Sequence, residues 1–217
     1  MDHAEGLLKR EDSAVEAVFE GLVIGGVAMA YAGVSRPASG VEHYFSHVWD
    51  MRGLEFGTQV DLHVIQCAMA TAEAVRLYEK VKTVKPDWQK AHQYVEQFSY
   101  DSWKETLHDF LGKSGDTMIA LEEREGKYDP STHPARFRII ESHRQEILQI
   151  IEEEIPSYET ISGILKTIGI PEDLGTIGVD SQTARLTFLA TKDIRDKYVL
   201  SRLCWDLGIL DEICQEI

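Results

Sequence analysis

Apolar residues recur along most of the chain at the three- and four-residue spacing that places them on one stripe of a helix, and the strict alternation of a half-buried strand is scarce. The pattern predicts an all-α protein. Asp12 and Ser13 are capping residues ahead of Val15, Val18, Phe19, Leu22 and Val23, so the first long helix starts there and runs into a glycine-containing apolar stretch. Ser35 to Gly40 breaks it, because Pro37 removes a backbone donor and the small residues around it permit a tight turn. Further helices are predicted over 41–51, 60–81, 87–97, 102–110, 116–125, 135–153, 158–168 and 183–207, with a loop at 53–57. Pro86, Pro130, Pro134, Pro156 and Pro171 fall between these segments or at their starts, where proline is tolerated. With no internal repeat and no low-complexity linker, a single helical domain over 1–217 is the simplest arrangement; two packed subdomains divided near 129–134 are the alternative.

The apolar stretch from Leu22 to Val34 is interrupted by Gly25, Gly26 and Gly33 and is too short for a bilayer. It reads as a buried helix in which the paired glycines serve close packing. The residues Met1-Asp2-His3-Ala4-Glu5 lack the basic start and apolar run of a signal peptide. No membrane insertion is expected. Of 217 residues 43% are hydrophobic and 27% charged, enough apolar material for a substantial core. A formal net charge of -15 argues against nucleic acid or an anionic membrane as partner, since a diffuse negative field repels polyphosphate. A small anionic substrate would then need a local positive site. Cys67, Cys204 and Cys214 are too few and too scattered for a disulfide framework or a zinc ribbon, which fits a reducing cytoplasm.

The candidate chemistry lies between Gly33 and Cys67, which holds His43, His47 and His63. His43 and His47 are four residues apart, so both imidazoles leave one face of a helix. His63 follows 20 residues after His43, and a tight helical hairpin returns it to the same point. Neutral imidazoles suit zinc and similar divalent cations, and catalytic sites keep one coordination position open. Spacing alone does not separate this from two ordinary histidines. Arg36, beside a turn of small residues, suits either a phosphate or carboxylate contact or a clamp on backbone carbonyls. Gly112-Lys113-Ser114 reads as a plain turn, because a phosphate-binding loop needs glycine where Leu107 stands. Glu152 to Glu154 reads as a solvated helix end; Cys67, one turn after His63, is within reach of the site but reads as a small buried residue; and His92, His108, His133 and His143 read as residues without functional context.

The string Ser35-Arg36-Pro37-Ala38-Ser39-Gly40-Val41-Glu42-His43-Tyr44-Phe45-Ser46-His47 resembles the Ser-Arg-Pro-Ala-Ser-Gly-x-Glu-His-x-x-Ser-His signature of the sn-glycerol-1-phosphate dehydrogenases, a branch of the iron-containing alcohol dehydrogenase and dehydroquinate synthase-like superfamily. The run Ala190 to Tyr198 and the following Trp205-Asp206-Leu207-Gly208 are similar to that family's closing helix. The resemblance implies the multi-helix C-terminal domain of the fold, with the α/β nucleotide-binding domain lying before Met1. It implies His43 and His63 as ligands of a divalent metal (zinc, nickel or iron) and His47, with Arg36, as contacts to a small phosphorylated triose or polyol. No catalytic residue is assigned. The implied reaction is the NAD(P)H-linked conversion of dihydroxyacetone phosphate to glycerol 1-phosphate, a step of phospholipid biosynthesis, in a cytoplasmic enzyme that is inactive without its nucleotide domain. A glycerol or other alcohol dehydrogenase of the same superfamily, and a non-catalytic helical module, are the alternatives. Two features depart from the pattern. Val64 stands where the family has glycine after the second ligand, making Phe56-Gly57 a competing alignment, and the family's aspartate ligand has no counterpart, since Asp2 and Asp12 are too close to His43. No Gly-x-Gly-x-x-Gly turn follows a strand, so the chain alone is not expected to hold NAD(P)H.

Overall fold

The computed structural model describes residues 3–217, and the readings that rest on Met1 and Asp2 lie outside these described residues. Among them the chain is all-α, with no strand. The helices are α1 (Ala4–Lys9), α2 (Asp12–Ala32), α3 (Val41–Phe56), α4 (His63–Thr83), α5 (Trp88–Gln97), α6 (Tyr100–Leu111) and α7 (Lys113–Glu125). They continue with α8 (His133–Ser142), α9 (Arg144–Glu154), α10 (Tyr158–Thr167), α11 (Ser181–Thr191), α12 (Leu200–Asp206) and α13 (Leu210–Cys214).

Helix α3 organises the interior because three different stripes of it carry three different chemistries. Val41, Phe45 and Trp49 recur every fourth residue and join Met69, Leu77 and Phe188 in one buried cluster, which α4 and α11 complete. Tyr44 and Val48, one position round, enter a second cluster with Trp103, Leu107 and Leu111 of α6. His43 and His47 occupy the remaining strip, half-buried, where the start of α4 meets the first turns of α3.

Two predicted helices are each broken. The segment 135–153 divides at His143, whose φ of -105° and ψ of 13° leave the helix and whose ring Nδ1 lies 3.0 Å from both Ile139 O and Ser142 Oγ. The segment 183–207 stops at Thr191 and resumes at Leu200, because the buried polar pair Lys192 and Asp193 is held by side chains of other elements. Asp193 accepts from Trp103 Nε1 at 2.6 Å and from Tyr128 Oη at 2.7 Å. The interrupted stretch then runs back past the start of α3.

The reading of 22–34 as a buried helix is overturned. Of the 21 residues of α2 only Ala14 is buried, while Leu22 and Tyr31 are 71% and 93% exposed. Nor do Gly25 and Gly26 serve close packing, since a methyl group built on either would meet nothing within 4 Å. Pattern could not distinguish the two, because a helix that is apolar on every side is the same in sequence whether or not a neighbour covers it. By length and composition α2 could cross a membrane, with mean hydropathy 1.6 over its most apolar 18 residues. Asp12, Glu16 and Glu20 occupy one side of its first half, however, and leave an uncharged run of only Gly21 to Ala32. That run is about 18 Å long against a hydrocarbon core of about 30 Å. Exposed apolar surface of this extent drives association in water. Light scattering of the 217-residue chain is therefore expected to give a mass above 24.5 kDa, and Val18→Lys with Leu22→Lys to lower it. A wild-type chain that stays monomeric would contradict this.

Candidate metal and substrate site

Helix α4 begins at His63, after Leu62, whose backbone N–H donates to the Asp61 carboxylate at 2.7 Å. The connection runs back along α3, with Val60 against Gly53, and so sets an exposed imidazole beside the first turns of α3. The Nε2 of His63 lies 3.2 Å from the Nδ1 of His43, and their ring centroids are 5.0 Å apart. The His47 ring is 6.3 Å from that of His43 and 5.8 Å from that of His63. The three histidines singled out in the sequence therefore meet in one place. Phe56 and Gly57 lie at the other end of α3, and the competing alignment has no imidazole near the site.

The buried Ser46 fixes the state of His63. Its hydroxyl donates to Gln66 Oε1 at 2.5 Å, so toward His63 Nδ1, 2.7 Å away, it acts as acceptor. With the ring proton on Nδ1, the lone pair of Nε2 points at His43 and is free for a cation, the arrangement by which a neighbouring group commonly orients a ligating histidine. Burial holds His43 below the usual imidazole range; Glu42 opposes the shift, and His63 and Lys197 add to it. Burial likewise lowers His47, reinforced by Arg195, His63 and His43 and opposed by Asp50. Neutral imidazoles are the forms that bind divalent metal, so the donor set fits such an ion.

Cys67 belongs to this site and not to the core. It lies one turn after His63, is only partly buried, and has its Sγ 3.5 Å from His63 Nε2. Burial pushes its thiol up to about 11.

Arg36, singled out in the sequence, is joined by Lys197 and Arg195 in a cationic rim beside the histidines. Lys197 donates to Arg36 O at 3.0 Å and to Ser39 O, tying the 192–199 segment to the turn before α3. It is Lys197, then, that clamps the backbone carbonyls, while the Arg36 guanidinium pairs with Asp196 Oδ2 at 2.5 Å and stays half-exposed. Arg195 is close enough to weigh on His47. No spacing rule links residues some 160 positions apart, so only the fold brings these charges together.

The remaining histidines have structural partners. His92 stacks on Trp88, His108 meets Asp116 at 2.8 Å, and the fully buried His133 donates through Nε2 to Asp206 O at 2.8 Å. Gly112, with φ of 54°, makes the turn between α6 and α7, and no phosphate loop forms there. The described residues include neither a sheet nor a glycine-rich strand-to-helix turn.

Comparison with known proteins agrees with the signature. The chain is 44% identical over 71 residues to the NAD(P)+ glycerol-1-phosphate dehydrogenase of Korarchaeum cryptofilum, covering 33% of this chain and 23% of that protein. It is 38% identical over 90 residues to the enzyme of the same name from Methanococcoides burtonii, covering 42% of this chain and 22% of the relative. A bacterial relative of that name, from Halalkalibacterium halodurans, is 35% identical over 79 residues, 36% of this chain and 20% of its own length. The chain thus spans about a fifth of the length of the curated relatives it matches. No family model and no solved structure matches. Over roughly a third of its length, in the all-helical setting described above, the chain is related to the glycerol-1-phosphate dehydrogenases.

Proposed function

We propose that this chain is the metal- and substrate-holding helical part of an NAD(P)-linked sn-glycerol-1-phosphate dehydrogenase acting on dihydroxyacetone phosphate. The observation that carries the reading is the 3.2 Å approach of His63 Nε2 to His43 Nδ1 inside the signature segment. His43 and His63 would hold a divalent ion, zinc, nickel or iron, which supplies Lewis-acid polarisation of the substrate carbonyl when bound. His47, whose imidazole burial holds below the usual range and which stacks beside His63, would orient the substrate oxygen and hold or relay its proton. Arg36, Arg195 and Lys197 would draw the phosphate into a chain whose overall charge of -15 otherwise repels it. In this reading NAD(P)H is seated by protein outside these 217 residues, which are inactive by themselves, and the enzyme works in the cytoplasm.

Equilibrium dialysis with zinc and with nickel tests the site. His43→Ala and His63→Ala should each weaken binding tenfold or more, in the range lost when metal-site partners are removed. His47→Ala should leave it nearly intact. Unchanged affinity in both ligand variants would remove the site. The cationic rim separates this reading from an alcohol dehydrogenase of the same superfamily. The zinc-loaded chain should bind glycerol 1-phosphate in preference to glycerol, and Lys197→Met should narrow the difference; equal binding of the two would favour the alcohol.

A further inference from the structure

His43 Nδ1, His63 Nε2 and Cys67 Sγ all lie within 4.8 Å of one another. The two edges that meet at His63 Nε2 have the length of edges of one coordination polyhedron. A tetrahedral zinc with nitrogen at about 2.0 Å and thiolate sulfur at about 2.3 Å has nitrogen-nitrogen edges of about 3.3 Å and nitrogen-sulfur edges of about 3.5 Å. The two measured edges at His63 Nε2 are 3.2 Å to nitrogen and 3.5 Å to sulfur.

Hydrogen bonding alone does not account for this convergence. Ser46 keeps the His63 proton on Nδ1, so Nε2 offers a single lone pair. Two groups, the His43 nitrogen and the Cys67 sulfur, face that one acceptor, and only one can be satisfied by it. A cation among the three would meet every donor atom at once. Sequence geometry supports the placement, since residues four apart on a helix share a face and Cys67 is one turn from His63 on α4.

We infer that Cys67 is a third metal ligand, so that His43, His63 and Cys67 hold a thiophilic divalent cation within this chain and leave a fourth position open. The inference rests on His43 and His63 being ligands, as proposed above. Imidazole with thiolate selects zinc or cobalt over magnesium or calcium. Metal retention by the 217 residues alone follows directly.

Cobalt titration of the full chain is the test, because thiolate ligation gives a near-ultraviolet sulfur-to-cobalt charge-transfer band that imidazole ligation does not. The expected result is such a band in the wild type and in Cys214→Ser. Cys67→Ala and Cys67→Ser should both lose it and bind cobalt tenfold or more weakly, with unchanged circular dichroism. Cobalt bound through His43 and His63 without the band would overturn the role of Cys67 and leave the proposed function standing. A band that survives His43→Ala and His63→Ala would overturn the histidine site itself. Failure of the wild-type chain to bind cobalt would overturn the claim that the site is held within the chain.

Discussion

Asp193→Ala is expected to lower the stability of the chain by about 3–5 kcal/mol, the range for breaking a buried charge pair by removing one partner. The carboxylate is fully buried, receives the Trp103 indole and the Tyr128 hydroxyl at 2.6 and 2.7 Å, and lies 3.3 Å from the Lys192 ammonium. Without it two donors and one buried cation lose their partner together. Lys192 is only partly compensated by its position 3.4 Å over the Trp103 ring and its bond to Leu189 O, and burial already pulls its pKa down to about 8. Asp193→Asn should cost less, because the amide keeps one acceptor and the shape. Adding Lys192→Met to it should recover part of the loss, as apolar replacement of a buried pair commonly does. Urea denaturation of the four proteins measures the series, and a loss under about 1 kcal/mol for Asp193→Ala would show that the pair is dispensable. The effect reaches the site as well. Asp193 anchors the segment that carries Arg195, Asp196 and Lys197 to the turn before α3, so the variant should also lose glycerol 1-phosphate binding at temperatures where it is still folded.

The helical class and the meeting of three histidines were legible in the sequence, because each depends on short-range spacing, whereas the tight hairpin expected between α3 and α4 is replaced by a connection that runs back along α3. His43 and His47 share a helix face by periodicity, and the short connection between α3 and α4 brings His63 back. Three features were not legible, and each depends on something far away in the chain. The break at Lys192 and Asp193 requires Trp103 and Tyr128 from other elements, so a continuous helical pattern concealed it. The place of Lys197 requires a contact to Ser39 across the whole domain. The exposure of α2 reflects the lack of any packed neighbour along most of its length, which no local pattern records. Cys67 is the instructive intermediate case: its spacing from His63 put it within reach, but the usual burial of cysteine favoured the core. Only the turn of α4 that directs its sulfur toward His63 decides between them.

Glu122→Gln is expected to flatten the fall in stability of the wild type between about pH 4.5 and pH 7. Glu122 is buried on α7 beneath the 192–199 segment, and burial raises its carboxyl from an ordinary 4.5 to about 7; Asp193 adds to the rise, and the Lys127 ammonium and Arg202 oppose it. Within that window the folded chain keeps a proton that the unfolded chain has released. Stability attributable to this group is therefore present below pH 4.5 and declines as pH climbs through the raised value. The interval corresponds to about 2 kcal/mol once the solvent reaching the Lys127 side of the pair is allowed for. The overall negative charge adds a similar trend to both proteins, so the informative quantity is the difference between wild type and variant at each pH. Lys127 also donates to Arg195 O at 2.6 Å, which keeps it in place when the carboxylate is replaced and makes glutamine a fair substitute. Urea denaturation at half-unit steps from pH 4.5 to 7.5 should show the two proteins diverging progressively in favour of the variant. Parallel curves would mean that Glu122 ionises normally in the fold and that Lys127 fully offsets its burial.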